Sequence, residues 1–196
     1  MLITKPYLRE RAVEYALRWA LGRNPLFIDF TGIGGNCTNF VSQCVLAGSC
    51  TMNYTPNFGW YYISPEERAP AWSSVEFFYD FMTGVERFAE VNGGVGPFAV
   101  EVGREGAEIG DAIQYANASG DWYHTVLITS IGEDGEILVS AQSDDARNRP
   151  LSSYNYASLR FLHIEGVRLE IDDEACYRAL LEGRLPTPPD LPPMQG

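Results

Sequence analysis

The residue types best able to do chemistry in this chain are a cysteine and a histidine, Cys37 and His124. Cys37 stands in the run Gly34-Gly35-Asn36-Cys37-Thr38-Asn39-Phe40. Asparagine is a strong helix-capping residue, so Asn36 marks Cys37 as the first residue of a helix. There the unpaired backbone amides and the positive end of the helix dipole stabilise an anion, and the thiolate is the nucleophilic form of cysteine. The glycines in front, Gly35 above all, let a substrate approach the backbone and leave amides to hold an oxyanion. Taken by itself, the position also suits a small apolar side chain on the buried stripe of a helix. Cys44, on the same stripe without cap or glycines, is read that way.

A second residue tips the balance toward catalysis. His124 begins a strand just after Gly120-Asp121 and shares a face with Val126, Ile128 and Ser130 by alternation. A histidine at the mouth of an apolar face, with a helix-capped cysteine elsewhere, is the outline of a nucleophile and its base. Such a pair calls for a sulfur roughly 3–4 Å from a ring nitrogen. The other histidine, His163, lies in Arg160-Phe161-Leu162-His163-Ile164-Glu165 and is read as structural.

Periodicity shows the elements that must position the pair. Residues 8–21 set Leu8, Ala12, Tyr15, Ala16 and Trp19 on one helical stripe. A second helix runs from Cys37 to near Gly48, with Phe40, Val41, Cys44 and Val45 on its apolar side, and Ser73 caps a third through about Met82. From Asp111 the period becomes two, predicting strands over 112–116, 123–131, 136–142 and 158–168, with a shorter one at Phe98–Val102. A last short helix is expected over about 173–181. Helices first and strands later make a single α+β domain over 1–185, its N-terminal helices packed on a C-terminal antiparallel sheet. The tail 186–196 has five prolines in eleven residues and is expected to be disordered.

Composition removes several function classes. With 26 acidic against 14 basic residues, a net charge of −12, the surface repels phosphate backbones and nucleic acid is not an expected partner. No run approaches the roughly 18 apolar residues of a membrane span. The N-terminal segment lacks the apolar core of a secretory signal, which sets the expectation of a cytoplasmic protein, or of a cell-wall one if a leader has been removed. The cysteines Cys37, Cys44, Cys50 and Cys176 contain no C-x-x-C pair, and histidines and paired carboxylates are too sparse for a ligand set, so neither metal nor cofactor is expected. Reduced thiols are expected, with Cys50–Cys176 the one pairing left open.

These residues as an ordered set resemble a known family. Asn24-Pro25, then Cys37-Thr38-Asn39-Phe40-Val41-Ser42-Gln43-Cys44, Ala47-Gly48, Met52, Trp60-Tyr61-Tyr62 and Trp72 are similar to the Putative amidase domain of Gram-positive bacteria, as are Gly110-Asp111-Ala112-Ile113-Gln114-Tyr115, His124 and Asn148-Arg149-Pro150-Leu151. The resemblance spans about Tyr7 to Ile164 and implies a papain-like fold beside the CHAP and NlpC-type hydrolases. It also implies a cysteine-dependent amidase or peptidase working through an acyl-enzyme, with Cys37 and His124 as the pair and a peptidoglycan stem peptide as the substrate class. Acyl or amide transfer is a related alternative. A binding module that keeps the fold without the chemistry is the contrasting one, fed by two departures: Asn36 and Gln142 stand where relatives carry aspartate and histidine.

The residue that orients His124 depends on hairpin register. A three-residue loop Glu133-Asp134-Gly135, with glycine left-handed, sets Gln142 opposite Val126 and on the face of His124. Gln142 is then the expected third catalytic residue, with Asp144 and Asp145 as rivals; a slip of one residue moves it to the other face. Trp60-Tyr61-Tyr62, Trp72 and Trp122 are read two ways, as the lining of a substrate groove, with Trp60 and Trp72 foremost, or as cover for the core. Asp111 is read as a turn residue.

Overall fold

The computed structural model describes residues 2–169 and 175–185. Helix α1 (Arg9–Trp19) buries Ala12, Tyr15 and Ala16 against α2 (Cys37–Ser49), whose residues are all buried. The apolar stripe expected on α2 is therefore only one of its covered sides. Its polar residues are buried because each finds a partner: Ser42 donates to Trp72 O (2.8 Å), Asn39 to Ile28 O (2.9 Å), and Gln43 accepts from Tyr15 (2.9 Å). The helix expected after Ser73 forms with its cap one residue later, and a short helix not expected from the sequence precedes it. Proline starts α3 (Pro70–Ser73), and Ser74, accepting from Phe77 N at 3.4 Å, caps α4 (Val75–Thr83). Short α5 (Ala89–Asn92) and α6 (Ala175–Leu181) complete the helices among the described residues. The expected start of the last helix and the proline-rich tail 186–196 lie outside the described residues.

Seven strands form one antiparallel sheet: β1 (Ile3–Lys5), β2 (Gly96–Val102), β3 (Ala112–Ala116), β4 (Trp122–Ile131), β5 (Ile137–Ala141), β6 (Ala146–Pro150) and β7 (Ser158–Leu169). The order is β1-β7-β3-β4-β5-β6, and β2 pairs with β7 as well. The chain is thus α+β, as expected. Alternation splits the core between the two sheet faces: Ala112, Leu127 and Leu162 pack under the helices, while Ile113, Tyr115, Val126, Ile128 and Val139 form a second cluster on the far face with Leu151 and Phe161.

The β4–β5 hairpin starts in the expected register. Gly135 is left-handed (φ 79), and Ile131 and Ser130 face Ile137 and Leu138. A bulge then inserts Thr129, so Ile128 faces Val139 and Leu127 faces Ser140. One residue is enough to exchange every later position between faces. No helix among the described residues is long and apolar enough to cross a membrane, and the four cysteines form no disulfide.

The close approach of the N-terminal segment to α2 depends on Gly48. Three atoms of the Tyr7 ring lie within 3.0 Å of where a Cβ would stand, and Tyr7 is itself fixed through its hydroxyl to Gly110 O (3.2 Å). Alanine is ordinarily the better helix residue by about 1 kcal/mol. Here overpacking outweighs that gain: Gly48→Ala is expected to lower stability by roughly 1–3 kcal/mol, read as a lower midpoint in thermal or urea unfolding.

Candidate active site

Two loops and a strand fix the start of α2. The loop before it is closed by Ile33 N and Gly35 N donating to Phe30 O at 2.9 and 3.3 Å. Asn36 does not cap the helix as expected: its side chain makes no cap hydrogen bond. Instead its Oδ1 accepts from Phe30 N (3.0 Å) and Asn39 Nδ2 (2.8 Å), while its Nδ2 donates to Gln142 Oε1. Its backbone amide donates to Ser143 Oγ. The consequence is chemical. The first-turn amides of α2 receive no side-chain acceptor, so the donors that a cap would occupy stay available to an anion at Cys37.

Cys37 is 7% exposed, with Sγ 3.8 Å from Thr38 Oγ1. Thr38 Oγ1 in turn lies 2.9 Å from Thr125 Oγ1 on β4, and Thr125 accepts from Gln114 Nε2 at 3.2 Å. The structure thus joins the residue after the cysteine to the residue after the histidine. His124 points to the far face from Thr125, where its ring lies 5.4 Å from Tyr115 and 6.4 Å from Tyr154, centroid to centroid. Burial pushes its pKa down from 6.5 to about 4, against a smaller upward pull from Asp144 and a further downward push from Arg149. Cys37 and His124 are each one residue from the Thr38–Thr125 bond, but the expected hydrogen bond between them is not formed, and the imidazole nitrogens bond to no other described residue.

Gln142 is not beside His124. The bulge at Thr129 carries it to the helix side, where Nε2 donates to Trp19 O (2.8 Å) and Gly22 O (2.7 Å) and Oε1 accepts from Asn36. It secures the turn before Cys37, not the imidazole. The rival carboxylates are also committed. Asp145 accepts from both terminal nitrogens of Arg23 at 3.0 Å, and exposed Asp144 pairs with Arg149 at 2.9 Å.

The groove-lining expectation for Trp60 and Trp72 is corrected outright. Both are 0% exposed, their indoles donating to Ser42 Oγ (3.0 Å) and Asn39 Oδ1 (2.8 Å), so neither has a face to offer a substrate. Gly35 does border the cysteine, in a left-handed conformation (φ 98), but its amide is spent on Phe30 O.

At the opposite end of β3, Asp111 closes a turn by accepting from Glu108 N (2.8 Å) and also binds Arg9 (2.5 Å) and His163 Nδ1 (2.9 Å). His163 is structural, as read, though its carboxylate partner went unforeseen. The tyrosines around His124 went unforeseen too; only Tyr115, two residues beyond Ile113 in the same alternating strand, carried a signal of its direction. Among the described residues no His, Cys, Asp and Glu side chains converge as a metal-ligand set.

Removing the amide of Gln142 leaves the Asn36 side-chain amide without its acceptor and takes one donor from each of the Trp19 and Gly22 carbonyls. Gln142→Ala is therefore expected to cost about 2 kcal/mol or more, seen as a clear drop in the urea midpoint. Asp145→Asn, which weakens an exposed pair, is expected to cost less than about 1 kcal/mol.

Comparison with known proteins agrees with this architecture of sequence. A relative from Bacillus subtilis (strain 168), "Uncharacterized protein YhbB", is 31% identical over 148 residues, covering 73% of this chain but 43% of its own. The chain therefore spans less than half the length of that curated relative. No solved structure matches it. The family model described as "Putative amidase domain" matches residues 6–164, and the chain belongs to that family, a group named for amide-bond hydrolysis.

Proposed function

We propose that this chain is a cysteine-dependent amidohydrolase of papain-like design, with Cys37 as nucleophile and His124 as base. The observation that carries the proposal is the uncapped start of α2: Cys37 heads a buried helix whose first amides have no side-chain acceptor, one residue from a threonine bonded to the neighbour of His124. In the reaction, the thiol proton passes to His124 and the sulfur attacks the amide carbonyl carbon. The Cys37 amide and its first-turn neighbours hold the oxyanion. Collapse expels the amine, which takes its proton from the imidazolium, and leaves a thioester. A water molecule, deprotonated by His124, then attacks the thioester, releasing the acid and restoring the thiol. The base lies ready across the neutral range, because burial keeps the imidazole uncharged down to about pH 4. Catalysis on this reading requires the His124 ring to turn toward Cys37 when substrate binds, as catalytic hydrogen bonds often tighten only in the complex.

The same burial makes His124 a stability group. Its folded pKa lies below the free value of 6.5, so the unfolded chain binds that proton more readily. The stabilisation is full above about pH 6.5 and is lost as the pH falls through about 4.

The substrate class proposed for this site is a peptide amide, with peptidoglycan stem peptides foremost. A module that keeps the fold without the chemistry is the second reading, favoured by the unformed Cys37–His124 bond. Iodoacetamide labelling mapped by mass separates the two. Cys37 is expected to label ahead of Cys44 and Cys50 at neutral pH, and His124→Ala to slow it at least tenfold. Prior labelling of Cys50, or equal rates with and without His124, would leave the binding module standing.

A further inference from the structure

With Gln142 committed to Asn36, something other than an amide or a carboxylate must hold the His124 ring. What surrounds it is tyrosine. Tyr115 stands directly across the ladder from His124, and its ring also touches those of Tyr154 (5.2 Å) and Tyr156 (5.5 Å). Tyr123 stacks on His124 at 6.3 Å. Tyr154 is fixed from outside by the Arg149 guanidinium, which lies 3.9 Å over its ring. Arg149 is itself held by Ser153 Oγ and Asp144, each at 2.9 Å.

The hydroxyls are the informative atoms. Four buried side-chain polar atoms have no hydrogen-bond partner among the described residues: Nε of Arg23 and of Arg68, and the hydroxyls of Tyr115 and Tyr154. Arg23 Nε still lies 3.1 Å from the Asp29 carboxylate and both arginines bond through other nitrogens, but each tyrosine has a single polar atom. An unpaired buried hydroxyl costs roughly 1–3 kcal/mol, and such groups in a native fold call for a reason. Both belong to rings in contact with His124, whose nitrogens bond to no described residue. Donors and acceptors left open at one spot at rest are accounted for if they pair at another point of the catalytic cycle.

We propose that Tyr115 and Tyr154 are positioning residues for His124: their rings hold the imidazole, and their hydroxyl oxygens accept its N–H when it takes the proton of Cys37. The proposal rests on the Cys37–His124 reading. A phenol oxygen accepts without carrying a net charge, and the ring faces attract a cation. The set therefore favours the imidazolium as it forms without placing a carboxylate against the neutral ring at rest. Asp144 reaches His124 only through its field, since its carboxylate is bound to Arg149 and is 78% exposed.

The test uses Tyr115→Phe, Tyr154→Phe and the double variant, which keep the rings and remove only unpaired hydroxyls, so thermal melting is expected at or above the wild-type midpoint. Loss of the acceptors disfavours the imidazolium. The NMR titration midpoint of His124, assigned against His124→Ala, should move about one unit to lower pH, and Cys37 alkylation at neutral pH should slow about tenfold with it. Wild-type midpoint and alkylation rate in the double variant would overturn the proposal; should the double variant fail to fold, the same two signals in the single variants decide. If His124→Ala alkylates as fast as wild type, the dyad has failed, while the NMR midpoint still reads the tyrosines separately.

Discussion

The hydroxyls of Thr38 and Thr125, 2.9 Å apart, join the first turn of α2 to β4 across a buried contact. Buried hydroxyls must be paired, and here each partner comes from the other element, so the bond fixes where α2 begins relative to β4. The fixing extends outward. Gln114, 0% exposed, donates to Thr125 and Val75 O (2.8 Å) and accepts from Arg160 at 2.7 Å. Arg160 is in turn clasped between the Tyr79 and Trp122 rings at 3.6 and 4.1 Å. From the other side Asn36, Asn39 and Gln142 tie the same helix start to the loop before it and to the end of α1. Held from both sides, the first turn of α2 can leave its amides uncapped without fraying.

The two histidines show how environment divides one residue type between roles. His163 faces a buried carboxylate and an arginine, an arrangement that joins β7, the turn before β3 and α1. His124 faces aromatic rings, and desolvation keeps it neutral. A base must be uncharged before it can accept a proton, so the ring without a carboxylate is the one suited to chemistry. The chain carries a net charge of −12, yet Asp144 and Asp145, just after the residues that hold Asn36, are paired with Arg149 and Arg23.

Much of this was legible in the residues themselves. Alternation after Asp111 gave β3, β4, β5 and β7, and the Gly-Gly-Asn-Cys run gave the start of α2 to the residue. What escaped was set by tertiary pairing. β6, Ala-Arg-Asn-Arg-Pro, has no apolar alternation and exists because β5 offers it an edge. The bulge at Thr129 leaves no local signal; its hydroxyl is stabilised by Asn148 Oδ1 at 2.8 Å, nineteen positions away. That one extra residue sent Gln142 to the opposite face and exchanged its expected role. Asn36 likewise has the type of a cap, but Phe30, Asn39 and Gln142 compete for its side chain and win. Trp60 and Trp72 looked equally suited to groove or core, and the polar partners waiting at Ser42 and Asn39 decided for the core.

The account stands on Cys37 becoming covalently acylated at that uncapped helix start. Its most direct test is mass spectrometry of the protein quenched in acid after mixing with defined muropeptides. The predicted result is an added acyl mass on the peptide containing Cys37, removable by hydroxylamine, with turnover abolished in Cys37→Ala. Cleavage of the same amides by Cys37→Ala at the wild-type rate, with no adduct on Cys37, would contradict it.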